Sequence, residues 1–354
     1  MIDILLQDPQ NPPPPWAGMP ETQVDAYGQL PVLASGFHDV DGLFYFTYVV
    51  CIFFFVLITA VLLYSVVAHR RKTWDQPALS NVTHNTPLEV VWTVIPLIIV
   101  MVMFAWGFQG SLDMTTAPFA ASQNTHKAIA KQWNWTFVYP DGSSSVGEVW
   151  LEKNKPALFV VEASDVLHAF YIPAMRVKRD AVPGRAQQVW FTPTEVGDYH
   201  LFCAEYCGKD HSRMYAKVHV VEKDEYALQP WNTWPADDAP PEELAKAGGE
   251  LAAKLCSSCH SFNGTPGVGP SWKGLYTKNA DGTYTGRQRE VIENGEKKTV
   301  TVDDDYITES IRKPDQKKVA EEPYVKNAMT PFGEAQLEDK KVKGIIQFMK
   351  SLAD

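Results

Sequence analysis

The sequence predicts a multidomain chain with three units in series: a transmembrane helical hairpin, a small all-β sandwich or barrel, and a small, mostly α domain. Three observations carry that reading. Two long runs are almost purely apolar, the stretch from 125 to 222 alternates apolar and polar positions, and the last third turns helical and contains CSSCH.

The first apolar run, Leu43 to Ala68, holds 26 residues without one Asp, Glu, Lys, Arg or His. As a helix it measures about 39 Å, more than the ~30 Å hydrocarbon core, so it spans with some tilt. The second run, Val90 to Phe108, belongs to a span of about 90 to 110 and contains Pro96. A kink there is tolerated in a membrane, where neighbouring helices re-satisfy freed backbone groups. With their flanks the two runs define a hairpin over residues 37 to 112. Residues 1 to 42 carry no Lys or Arg but six acids, whereas the loop after the first span opens with HRRK, His69 to Lys72. By the positive-inside rule that loop is cytoplasmic, and the N-terminus and everything after the hairpin lie outside. Residues 1 to 36 read as an extended segment, with the proline-rich QDPQNPPPPW either contacting a partner or disordered. The chain is acidic, 42 Asp and Glu against 32 Lys and Arg, which argues against a nucleic-acid partner.

The β reading rests on WNWTFVYP, ALFVVEA, QQVWFTP, YHLFCAEYC and YAKVHVVE, separated by turns at PDG, VPG and EVGD. These place a sandwich or barrel over 125 to 222. QPWNTWPADDAPPEE then reads as a Pro- and acid-rich linker, 223 to 242, a flexible tether that holds the next domain at millimolar local concentration. The domain from 243 to 354 is helical around its motif. Within it, 281 to 305 reads as an inserted hairpin to which the sequence assigns no function.

Four of the five cysteines form two close pairs, the spacing of metal or haem chemistry rather than of a disulfide scaffold. In CSSCH, Cys256 and Cys259 have the spacing that attaches a c-type haem through its vinyl groups, and the adjacent His260 ligates the iron. A zinc ribbon needs a second cysteine pair in the same domain, and none follows Cys259. A thioredoxin-like pair follows a strand, and the text before this one is helical. Met329, in the loop-like NAMTPFG, is the candidate sixth ligand, and a thioether raises the haem potential. Met349 lies on the apolar face of a terminal helix, where a core role fits better.

FCAEYCGKDHSRM brings Cys203, Cys207, His211 and Met214 into one loop, a donor set that selects a soft metal, copper or zinc. A closed zinc site has no need of Met, and a blue-copper site uses one thiolate, not two. Two thiolates in one loop can instead bridge two coppers, each of which still needs a terminal ligand. His211 supplies one. The other comes from among His126, His168, His200 and His219, of which His168, at the end of a strand-like run in SDVLHAFYIP, is the better placed.

Together TPLEVVWTVIP, KQWNWTFVYPDG, DVLHAFYIP with VKRDAVPGR, FCAEYCGKDHSRM, CSSCH and AMTPF resemble one family: subunit II of the haem-copper cytochrome c oxidases, in the caa3-type form with a fused C-terminal cytochrome c domain. The resemblance covers nearly everything from residue 36 onward. It implies a cupredoxin-like Greek-key barrel for the β domain and a class I cytochrome c fold for the last one. It further implies a dinuclear CuA centre held by His168, Cys203, the backbone carbonyl of Glu205, Cys207, His211 and Met214. The Glu205 side chain would reach a magnesium ion shared with subunit I. Trp133 would be the aromatic residue through which electrons reach copper, with Trp135 the packed one of the pair. Glu89 would mark the cytoplasmic mouth of the K proton pathway, and Thr86-Pro87-Leu88-Glu89 also reads as a capping box.

For function, the resemblance implies the electron-input subunit of a proton-pumping oxidase in a bacterial inner membrane, with its large domains on the periplasmic face. Electrons would pass from a donor, cytochrome c or another respiratory complex, through covalent haem c and CuA to haem a and the haem a3–CuB site of subunit I. Subunit III would be a further partner. This chain lacks the multi-histidine helices that oxygen chemistry needs, so the oxygen site belongs to another subunit. The alternatives are the corresponding subunit of a CuA-containing nitric oxide reductase and a free-standing, membrane-tethered redox or copper carrier. A free carrier has no need of Glu89 or Glu205.

Overall fold

The computed structural model describes residues 30 to 353 apart from 78, 79, 81, 233, 237, 322, 323, 327, 328 and 335, so QDPQNPPPPW lies outside the described residues. The chain divides into two compact units, 35 to 117 and the remainder.

The first unit is the helical hairpin. Helices α1 (His38–Ala68) and α2 (Thr86–Thr115) have 31 and 30 residues, longer than the apolar runs of 43 to 68 and about 90 to 110. The additional turns are polar at the start of α1 and the end of α2, which lie at the same end of the hairpin and suit the headgroup zone at one face of the hydrocarbon. The helices run antiparallel: Phe46 near the start of α1 meets Trp106 near the end of α2, with ring centroids 6.0 Å apart. Pro96 lies inside α2 without ending it. The cap of α2 differs from the expected box by one residue. Asn85, not Thr86, is the N-cap: its side chain accepts from the Leu88 N–H at 3.2 Å, and the Glu89 carboxylate accepts from the Asn85 N–H at 3.1 Å. Asn caps better than Thr, and this register puts Pro87 within the first turn, where its missing N–H costs nothing. None of the side chains of either helix is buried within the chain, an arrangement suited to an apolar solvent.

In the second unit the short α3 (Phe119–Ser122) leads into ten strands. They are β1 (Thr125–Lys131), β2 (Asn134–Val138), β3 (Ser144–Val146), β4 (Glu148–Glu152), β5 (Ala157–Ala163), β6 (His168–Ile172), β7 (Val177–Ala181), β8 (Gln187–Phe191), β9 (Gly197–Cys203) and β10 (Tyr215–Val221). Two five-stranded sheets result, in the orders β3-β2-β1-β5-β8 and β4-β10-β9-β6-β7. Period-2 alternation aims one row of each strand inward. Phe159 of one sheet meets Phe170 of the other at 5.2 Å, and Trp135 meets Phe170 edge-on at 5.8 Å. These rings are fully buried, and truncating one such side chain costs about 3–5 kcal/mol. This is the cupredoxin-like domain.

The segment from 223 to 242 is not the free tether that its composition suggests. After α4 (Lys223–Ala227), Trp231 stacks on Tyr139 of the sandwich at 4.2 Å, and its indole N–H donates to Ser143 Oγ at 2.9 Å. Trp234 packs instead against the core of the last domain. Two tryptophans in a Pro-rich stretch bury more apolar surface than a solvated linker can leave exposed.

The last domain is built on α5 (Pro241–Leu255), α6 (Asp304–Arg312) and α7 (Asp339–Ser351), whose apolar faces meet around Leu251, Leu255, Ile307, Ile311, Ile345 and Met349. The expected single hairpin at 281 to 305 is two. β11 (Tyr276–Lys278) pairs with β12 (Tyr284–Gly286), and β13 (Gln288–Glu293) pairs with β14 (Glu296–Thr301) and β15 (Lys317–Val319). Val291 is fully buried in the domain core, so the insertion is part of that core.

This domain rests on the sandwich through polar side chains that are themselves buried. Lys341 donates to the Ser144 carbonyl at 2.9 Å and to its hydroxyl at 2.8 Å. Gln336 donates to Ser164 Oγ at 2.8 Å, and Lys131 of β1 reaches the Thr330 carbonyl at 2.6 Å.

Candidate metal centres and the joint between them

The loop after β9 folds back because Cys203 N–H donates to the Met214 carbonyl at 3.0 Å, closing the ring from 203 to 214. Inside it the two thiols lie 3.7 Å apart, and both cysteines are free of a disulfide. His168, the first residue of β6, places Nδ1 3.8 Å from Cys203 Sγ. His211 places Nδ1 3.5 Å from Cys207 Sγ, Met214 Sδ lies 3.7 Å from Cys207 Sγ, and the Glu205 carbonyl lies 3.2 Å from Cys203 Sγ. Two donors about 2.3 Å from a shared ion at tetrahedral angles sit about 3.8 Å apart, so the spacing fits ligands that share metal ions. Each thiol has a histidine beside it. Of the other candidates, His126 is fully buried between Tyr139 and Phe159, and burial pushes it down to about 4. His219 engages Asp198 at 2.6 Å, and His200 lies on the sandwich surface beside Phe202.

Asp165, three residues before His168, orients the site. Its Oδ1 holds His168 Nε2 at 2.8 Å, so the proton sits on Nε2 and Nδ1 keeps its lone pair for a metal. Asp165 also accepts the backbone N–H of Gln132 at 2.8 Å and of Val166 at 2.7 Å. Burial works against charge on His168, but the Asp165 hydrogen bond and the Cys203 sulfur raise it. Burial likewise opposes ionisation of Cys203, yet His168 and the backbone around it hold this thiol low. Burial and the neighbouring Cys203 charge push Cys207 up. Asp165 was missed in the sequence, although its place three residues before a candidate ligand is the available signal.

Around CSSCH the domain opens a crevice of about 310 Å³. Cys256, Cys259, His260, Met329 and Met349 all line it. His260 Nδ1 donates to the Pro270 carbonyl at 2.8 Å, leaving Nε2 as the lone-pair donor, and burial lowers its pKa so that the ring stays neutral. Gly269 makes this possible: a β-carbon there would fall inside the His260 ring. Met349 is buried in the core, whereas Met329 is half-buried against that core and lines the crevice. The crevice and the neutral imidazole fit a porphyrin held through two thioethers.

The joint brings the two sites together. Trp133 and Gln132 line the haem crevice, and both donate to the Cys207 carbonyl in the copper loop, at 3.2 and 2.7 Å. Gly208, at φ +117°, leaves them room, since a β-carbon there would press on both side chains. Glu205 is exposed, and Glu89 lies in the hairpin unit, at the start of α2.

Three family models match the chain: cytochrome c oxidase subunit II, transmembrane domain, over 29–109; cytochrome c oxidase subunit II, periplasmic domain, over 143–221; and cytochrome c over 245–353. A cytochrome c oxidase subunit 2 of Synechocystis is 29% identical over 260 residues, which cover 60% of this chain and 77% of that one. One from Alkalihalophilus pseudofirmus is 30% identical over 224 residues, covering 61% and 66%. Among solved structures, the periplasmic domain of subunit II of cytochrome oxidase from Bradyrhizobium japonicum is 35% identical, with a TM-score of 0.30, covering 32% of this chain and 94% of that one.

Proposed function

Because the chain belongs to the cytochrome c oxidase subunit II family, in the form with a fused cytochrome c domain, we propose that it admits electrons to a proton-pumping oxidase through haem c and a dinuclear copper centre. As a subunit II it has an electron-input role in a haem-copper oxidase, associates with subunit I, and is a membrane protein with a periplasmic domain. Its domains imply copper and haem c. The membrane is a bacterial inner membrane, subunit III is a further partner, and the donor is cytochrome c or another respiratory complex.

Cys256 and Cys259 hold the haem covalently, with His260 and Met329 on the iron. His168, Cys203, the Glu205 carbonyl, Cys207, His211 and Met214 hold the copper pair. When bound, these groups supply one-electron carriers whose bond lengths change little with redox state. The residues around them keep the geometry constant: Asp165 fixes the His168 ring, Pro270 fixes the His260 ring, and the 203–214 hydrogen bond closes the copper loop. The carboxylate of Glu205, exposed on that loop, is available to a magnesium ion shared with subunit I. Glu89 receives protons for the K pathway while it caps α2.

The observation that carries the route is that Trp133 lines the haem crevice and hydrogen-bonds the carbonyl of Cys207. The fused domain therefore occupies the face from which electrons reach copper, and an external donor must reduce the haem first. Rapid photoreduction of the purified full-length chain tests this. The haem signal should appear first and decay as copper is reduced. Direct copper reduction by an external cytochrome, with the haem still oxidised, would contradict it.

A further inference from the structure

We infer that Lys131, contributed by the copper-binding domain, is a positioning residue that holds the Met329-bearing loop of the haem domain in register with Trp133. The inference rests on the haem and copper reading above. Lys131 ends β1, two residues before Trp133, and is only 5% exposed. Its ammonium donates to the Thr330 carbonyl at 2.6 Å and stands 3.0 Å from the centre of the Phe332 ring. Thr330 directly follows Met329, and Phe332 is buried in the haem-domain core.

Burying an ammonium is costly unless it is well partnered, so plain packing at this place would favour Leu or Met. A carbonyl below and an aromatic face above form a partnered cage instead, with a cation–π contact stronger than at exposed sites. The cage joins the strand leading to Trp133 to the loop carrying Met329. Lys131 also lines the haem crevice. Burial pulls its pKa down to about 7, and in the protonated form its charge there favours the ferrous over the ferric haem and so raises the potential. The opposite edge of the joint has its own clasp, Lys341 on Ser144. Losing Lys131 therefore loosens the loop without releasing the domain.

The test uses the full-length chain loaded with copper and haem, comparing wild type, Lys131→Met, Phe332→Leu and the double variant. Three readouts are taken: the methionine–iron charge-transfer band of the oxidised haem, its midpoint potential, and the rate of electron transfer from ferrous haem to oxidised copper. Lys131→Met should keep the copper spectrum, weaken the band, lower the potential and slow transfer on the order of tenfold. Phe332→Leu should move all three the same way by less, and the double variant should be no worse than Lys131→Met, because both act through one contact. A loaded Lys131→Met chain with wild-type band, potential and rate would overturn the inference, as would additive effects in the double variant. A wild-type chain without methionine-ligated haem would overturn the underlying reading and this inference with it, before any variant is compared.

Discussion

In the proposed copper loop, four candidate side-chain donors fall between Cys203 and Met214, and the fifth, His168, is fixed by one strand of the same sandwich. In the haem crevice the donors spread from Cys256 to Met329, and part of the wall, Lys131 to Trp133, belongs to another domain. The first site is closed where β9 passes to β10, by the backbone hydrogen bond from Cys203 to Met214. The second depends on helices, an inserted pair of hairpins and a docked neighbour. A site nested in a finished fold can lose its metal and leave the fold standing. A site that is itself the middle of a core cannot.

Removing the metal attachments should separate the two most sharply. Cys203→Ser should abolish bound copper while the sandwich keeps its resistance to proteolysis, because the Phe159–Phe170 packing between the two sheets is made without the metal. Replacing Cys256 and Cys259 with Ser should strip the haem and leave residues 243 to 353 sensitive to protease. Copper analysis, haem spectra and limited proteolysis on the full-length chain read both. Equal protease sensitivity of the two domains would break the comparison.

Asp165→Asn should weaken copper retention about 10- to 100-fold, since the amide no longer fixes the His168 proton on Nε2 as a carboxylate does. Competition against a copper chelator measures this, and the haem spectrum should not change. Gly269→Ala is the counterpart in the crevice. The added methyl displaces the His260 ring, so part of the haem should turn high-spin while copper binding stays at the wild-type level.

The smallest effect concerns the joint. Glu148 of the sandwich is held down to about 2, first by the His219 ring, whose Nε2 lies 3.6 Å from the carboxylate, then, against burial, by Lys254 of the haem domain. A carboxylate with a depressed folded pKa contributes stability that is present above its unfolded value, about 4.5, and is lost as pH falls towards about 2. Urea midpoints of the full chain should therefore decline over that window, and Glu148→Gln should flatten the decline. An unchanged acid limb in the variant would show that Lys254 and Glu148 do not stabilise the docked state.

The same contrast explains what could be read from the chain. The cluster around the 203–214 loop was legible because its residues are close in sequence, and His168, which the structure places beside Cys203, could be singled out from four histidines by its place at a strand end. Asp165 was not, because a carboxylate three residues before a histidine is common in loops and only the folded ring orientation gives it a role. CSSCH announced the haem, but the wall formed by Lys131 and Gln132 could not be seen, since it depends on how two domains dock. Pro and acidic residues between 223 and 242 suggested a free tether. Trp231 and Trp234 outweighed them by packing one on each neighbour. In α2 the cap moved from Thr86 to Asn85 because the carboxylate of Glu89 reaches one residue further back than the box pattern assumes.

The central claim is that one chain holds a copper pair and a haem in series. It is tested most directly by copper and haem analysis of the purified full-length protein together with an electron paramagnetic resonance spectrum of its oxidised form. The account predicts two coppers sharing one unpaired electron, beside one low-spin haem, in each chain. A single copper with an ordinary four-line pattern, or zinc in its place, would contradict it.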